Sequence, residues 1–191
     1  MPRGDLFSVV QSLRVFTAVQ LSEILYAHSP GKYKDVHSTR VQADKWIKKN
    51  PDIEKVKRGV YRIKGCKSEG GEHSLKLSQT LTELYKIPAV EPVIFREKYI
   101  AEIERYPDAL ILLKCTGRGA CFVLEQVNEE TEEYLTAKVK EWQSWEKAND
   151  YLSQTFNYRI PHFEIVISGT QIIPRGCYAL KNYLQEVMKD G

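Results

Sequence analysis

The sequence holds no long apolar run: none of its hydrophobic stretches approaches the ~20 residues that a bilayer-spanning helix needs. That argues against a membrane protein. Cysteine is sparse, with four residues (Cys66, Cys115, Cys121 and Cys177) and no CxxC pair. Their spacing argues against a zinc ribbon or a dithiol redox motif and makes free thiols in a reducing compartment the expectation. The opening MPRGDLFSVVQSLR lacks an apolar core followed by a small-residue cleavage site, so it does not read as a secretory signal. Cytoplasm is the expected compartment. The four histidines (His28, His37, His73 and His162) show no ligand spacing. Internal repeats and low-complexity tracts are missing too.

What is present is the balance of a globular chain, 42% apolar and 28% charged over 191 residues. That length suits one mid-sized domain or two small ones. The charge is unevenly spread. Residues 1–70 hold 14 Lys and Arg against 7 Asp and Glu, for +7, and residues 71–191 hold 14 against 18, for −4. A basic excess of this kind attracts polyanions, nucleic acid first. Between the apolar patterns ending at Ile63 and starting at Leu75 lies KGCKSEGGEHS, with three glycines and two serines. It reads as a linker, and the division expected is residues 1–66, a linker 67–74, and residues 75–191.

In the first module, Asp5 is placed to cap a helix carrying Leu6, Val9, Val10 and Leu13 at helical spacing. Thr17-Ala18-Val19-Gln20 is a capping-box signature that opens a second helix, ending near Ser29-Pro30-Gly31. A third helix is expected from about Val36 to Lys49, stopped by Asn50-Pro51. Ile53–Lys57 and Val60–Lys64 then form a hairpin around Arg58-Gly59.

Three helices and a basic hairpin follow the winged helix-turn-helix order. The GVYRI strand resembles the wing strand of abortive-infection antitoxins and plasmid replication proteins. On the third helix, Ala43, Trp46 and Ile47 face inward. Ser38, Gln42, Lys45 and Lys49 then share an outer face, flanked by Thr39 and Arg40. Short polar groups near the N-terminus suit base edges, and lysines further along suit phosphates. Lys55, Lys57 and Arg58 would carry positive charge on the wing.

In the second module, Leu75–Ile87 reads as an amphipathic connector helix, and FREKYIAEIERY after Pro92 as another helix. Ala109–Leu113 is a continuous apolar run of buried-strand length. Thr116-Gly117-Arg118-Gly119 turns the chain into a return strand, Cys121–Val127. A long helix over roughly Glu130–Thr155, a strand His162–Ser168 and a closing helix Cys177–Lys189 complete the pattern. Trp142 and Trp145 lie on a helical stripe suited to a core. The fold class expected is α+β, a winged helix followed by a small α/β domain with a mixed sheet.

Pro107-Asp108 at the head of one hairpin strand and Glu125 deep in the return strand resemble the PD-(D/E)xK nuclease fold. More narrowly, FREKYI, RYPDALILL and FVLEQVNEETEEYLTAKVKEW resemble the replication-relaxation family of plasmid and mobile-element proteins. The resemblance implies paired carboxylates, Asp108 and Glu125 with Glu97 as a third, holding Mg²⁺ for phosphodiester hydrolysis. A lysine would stabilise the developing charge. The sequence departs from the strict motif, because Val127 stands where the lysine belongs. Gln126 and Asn128 supply only amides if the register moves by one. Lys138 or Lys140 on the following helix would have to replace it.

The function expected is therefore a double-stranded DNA-binding protein of a plasmid or phage, acting in replication, transfer or transcription control. Its nuclease-like module would serve dimerisation or DNA contact. The alternative is a Mg²⁺-dependent DNA endonuclease or nickase targeted by the winged helix.

Overall fold

The computed structural model describes residues 3–29, 31–67, 70–87, 90–96, 98–115 and 118–189. Seven helices and two sheets, one of them mixed, are present among these residues, and the chain divides into two units, Met1–Pro88 and Ala89–Gly191. No described helix is long and apolar enough to cross a membrane.

The first unit runs α1 (Arg3–Leu13), β1 (Val15–Thr17), α2 (Ala18–Ala27), α3 (Val36–Lys49), β2 (Ile53–Lys57), β3 (Val60–Ile63) and α4 (Glu72–Tyr85). The apolar positions read for α1 are all buried, but the helix begins at Arg3, so Asp5 lies within it rather than ahead of it. The Thr17 capping box forms as the sequence implies: the Gln20 amide donates to Thr17 Oγ1 at 3.2 Å, and the Thr17 amide to Gln20 Oε1 at 2.7 Å. Between α1 and that cap sits β1, too short for any periodicity to reveal. It pairs antiparallel with β3, giving a three-stranded sheet in the order β1-β3-β2. Gly59 turns the β2–β3 hairpin at φ +74°, a backbone region that favours glycine.

α4 belongs to this first unit rather than to the second module. Ser78 Oγ donates to the Leu13 carbonyl at 2.9 Å, and the Tyr85 and Ser12 hydroxyls meet at 2.7 Å. Leu77, Leu81 and Leu84 are fully buried. The glycine-rich stretch ahead of α4 is also partly committed. Gly70 is buried at φ +70°, where a Cβ would stand 3.1 Å from Val60 Cγ1, and its carbonyl accepts from Lys57 Nζ at 3.0 Å.

The second unit comprises β4 (Glu91–Arg96), β5 (Ala109–Cys115), β6 (Arg118–Gln126), α5 (Glu132–Gln143), α6 (Ala148–Phe156), β7 (Glu164–Ser168), β8 (Tyr178–Ala179) and α7 (Leu180–Lys189). The sheet order is β4-β5-β6-β7-β8, antiparallel across the first three strands and parallel from β6 to β8. Leu112 and Val123 are buried on facing strands of the β5–β6 hairpin.

Three helix expectations are corrected. The described residues of the FREKYIAEIERY segment form no helix: Phe95 and Arg96 end β4, and turns with an Ile100–Arg105 bridge lie further along. Val93, Ile94 and Phe95 favour a strand, and pairing with β5 outweighs the helical charge spacing after them. The long helix breaks after Gln143, because Trp142 and Trp145 both enter the core and the chain turns between them to allow it. The closing helix also starts later, at Leu180, since Tyr178-Ala179 adds to the sheet as β8. The cluster that positions the site lies on one sheet face: Leu110, Leu112 and Val123 pack with Leu135, Val139 and Trp142 of α5.

Candidate functional site

Register brings the carboxylates together. Ala109 pairs with Leu124, so Asp108, one residue earlier, stands opposite Glu125, one residue later. Strand alternation puts Glu125 on the face of Val123 and Val127, which packs under α5. From α5, Lys138 Nζ reaches Glu125 Oε2 at 2.5 Å. The Gln126 amide donates to Asp108 Oδ2 at 2.7 Å, which fixes the aspartate at the head of β5. Glu125, not Gln126, is therefore the side chain beside Asp108, and of the two lysines considered it is Lys138 that reaches it.

Electrostatics follow from burial. Glu125 is 1% exposed, and its Oε1 is buried with no donor within hydrogen-bond geometry among the described residues. Burial pushes its carboxyl up to about 8; Lys138 opposes the shift, and Asp108, a second negative group, adds to it. Burial works against the Lys138 ammonium as well, but Glu125 and then Asp108 more than offset that and raise its pKa. Lys140 is exposed on another side of α5, outside this cluster, and Glu97 lies outside the described residues.

In the first unit the residues expected to meet DNA divide. Gln42, Lys45 and Lys49 are exposed on α3, and Lys55, Lys57 and Arg58 on the hairpin. Lys57 spends part of its bonding capacity on Gly70. Thr39 is a correction. It is fully buried, and its hydroxyl is bonded to the carbonyls of Ser22 at 2.9 Å and Val36 at 2.6 Å, so it holds α3 against α2 and meets no ligand. Ser38 is committed to a second capping box with Asp35, its amide 2.7 Å from Asp35 Oδ1. Arg40 pairs with Asp44 at 3.7 Å. Periodicity placed these residues on the correct turns, but it could not show that short hydroxyl groups would be consumed locally.

Gln42, Lys45 and Lys49 also line a cleft of about 620 Å³ together with Trp46. Sequence reading assigned Trp46 to the interior. It is half-buried, and no spacing signal distinguishes a core tryptophan from one at a cleft wall. No protein-family model, curated protein or solved structure matches this chain.

Proposed function

We propose that this protein binds DNA through its first unit and carries a Mg²⁺-dependent phosphodiesterase centre of PD-(D/E)xK type in its second. One observation carries the reading: Asp108, Glu125 and Lys138, from the head of one strand, the end of the next and the following helix, meet at one point. The donor set suits a hard divalent ion. Two carboxyl groups, Asp108 and Glu125, stand side by side, a bound cation would favour the ionised form of Glu125, and Mg²⁺ commonly binds one or two carboxylates with water and substrate oxygens completing its shell. Such an ion would polarise the scissile phosphate and lower the pKa of the attacking water. The chain's own contribution is positional. Asp108 is held by the Gln126 amide, and Lys138 sets a positive charge where a phosphorane would develop its negative one.

We read the first unit as a winged helix-turn-helix, supported by the order α1-β1-α2-α3-β2-β3 and the three-stranded sheet. Gln42, Lys45 and Lys49 of α3 would enter the major groove, and Lys55 and Arg58 would meet backbone phosphates. Action on plasmid or phage DNA is the context that the replication-relaxation resemblance suggests. A second reading has its own support: Glu125 is shut in behind Lys138. On that reading the second unit is a nuclease fold retained for DNA contact or for pairing two copies.

Incubation of supercoiled plasmid with the protein and Mg²⁺ or Mn²⁺ separates the two. Nicking or linearisation that vanishes in Asp108→Ala supports the nuclease. Retarded plasmid that stays supercoiled with both metals supports the binding protein alone.

A further inference from the structure

The cleft on the first unit holds more than a duplex would use. Besides Gln42, Lys45 and Lys49, its lining includes the aliphatic Leu6 of α1 and Leu25 of α2 and the indole of Trp46. The loop between α2 and α3 contributes Lys32 and Tyr33, with Lys32 Nζ 5.5 Å from the centre of the Tyr33 ring. Among the described residues no aspartate or glutamate lines it. Duplex DNA keeps its bases stacked inside and offers groove edges and phosphates, which give the aliphatic and aromatic side chains of this cleft little to pack against.

We infer that this cleft binds a free mononucleotide, with its base between Tyr33 and Trp46 and its phosphate on Lys45 and Lys49, and that the bound nucleotide competes with DNA. Three arguments converge. Its volume falls among small-molecule sites, roughly 300–1,000 Å³. Three lysines without a carboxylate select an anion, and two aromatic side chains over aliphatic ones select a planar ring. Gln42 and Asn50 add amides able to pair with base edges. Competition rests on the DNA reading above, because Gln42, Lys45 and Lys49 would serve both ligands.

The test titrates the full chain with AMP, GMP, CMP and UMP while following tryptophan fluorescence. Trp142 and Trp145 are buried in the second unit and Trp46 lines the cleft, so saturable quenching reports on the cleft. Quenching by at least one mononucleotide, absent with inorganic phosphate, is expected. The Lys45→Ala, Lys49→Ala double variant should raise the half-saturating concentration by about tenfold, the effect of losing ~1.4 kcal/mol of phosphate contact. Both lysines are exposed, so the fold should survive, which circular dichroism checks. A saturating mononucleotide should also release a labelled duplex. No quenching, equal quenching by phosphate, an unchanged response in Trp46→Phe, or quenching by a single-stranded oligonucleotide alone would overturn the site. Quenching without duplex release would overturn the competition. The nucleotide arm contains no DNA, so a protein that binds DNA but no mononucleotide sinks this inference alone. The reverse result sinks the DNA reading alone.

Discussion

Lys138 on α5 and Glu125 on β6 form an ion pair, Nζ to Oε2 at 2.5 Å, in which the carboxylate is the deeper partner, its side chain 2% exposed against 22%. Such a pair is weak evidence for stability, but breaking it strands a charge. Without Lys138 the Glu125 pKa rises further, so Lys138→Ala should cost more at about pH 9 than at about pH 5, by up to about 1.4 kcal/mol for the one unit above 8. Melting curves at the two pH values read this directly; equal losses would show that the lysine contributes packing rather than charge.

Glu125 itself should make stability depend on pH. Burial, first, and Asp108 hold its folded pKa up at about 8, against an ordinary value of 4.5. The folded state keeps a proton that the unfolded chain releases, so the stabilisation is full at low pH and is lost as pH rises towards 8. Glu125→Gln cannot ionise. Its melting temperature should gain on the wild type between about pH 5 and pH 8, with a ceiling near 5 kcal/mol at ~1.4 kcal/mol per pKa unit. A constant difference across that range would contradict the shift.

Thr39 and Gln42 should behave as opposites although they lie one turn apart. Thr39→Val removes the one hydroxyl hydrogen shared between the Val36 and Ser22 carbonyls and should cost about 1 kcal/mol, with the DNA affinity of the folded fraction unchanged. Gln42→Ala should leave the melting point alone and relax base preference by ~1–3 kcal/mol. Competition binding with variant duplexes, read beside thermal melts, distinguishes them.

Fragment boundaries offer another test. Residues 3–87 include α4, whose Leu77, Leu81 and Leu84 are buried, whereas residues 3–66 discard it. The longer fragment should melt cooperatively and bind duplex DNA with steep salt dependence. The shorter should lose roughly 2–5 kcal/mol for even one leucine removed, comparable with the whole stability of a small domain.

Core truncation completes the set. Leu112 is buried in the central hairpin, and Leu112→Ala should cost ~2–5 kcal/mol. A denaturant midpoint near wild type would mean that the cluster under α5 repacks freely.

The parts legible in sequence were those with local causes. Thr17 and Gln20 announce their capping box; ALILL announces a buried strand; Asp108 and Glu125 fall opposite each other once two adjacent strands are assumed. Partner-dependent features were not legible. β1 exists because β3 offers it a ladder, and β4 because β5 does. Leu75, Leu77, Leu81 and Leu84 mark a helix, but their spacing does not say which core receives it. Lys138 and Lys140 look equivalent along the chain, yet only Lys138 meets Glu125.

Both borders of the five-stranded sheet carry a feature that hinders further strands. At one border, Pro92 interrupts the row of amides along β4. At the other, β8 lasts two residues before the chain coils into α7. Exposed, regular borders invite neighbouring chains to add to a sheet and begin fibrous aggregation. Here that route is blunted at each side, so high local concentration would not by itself seed a growing ribbon through this sheet.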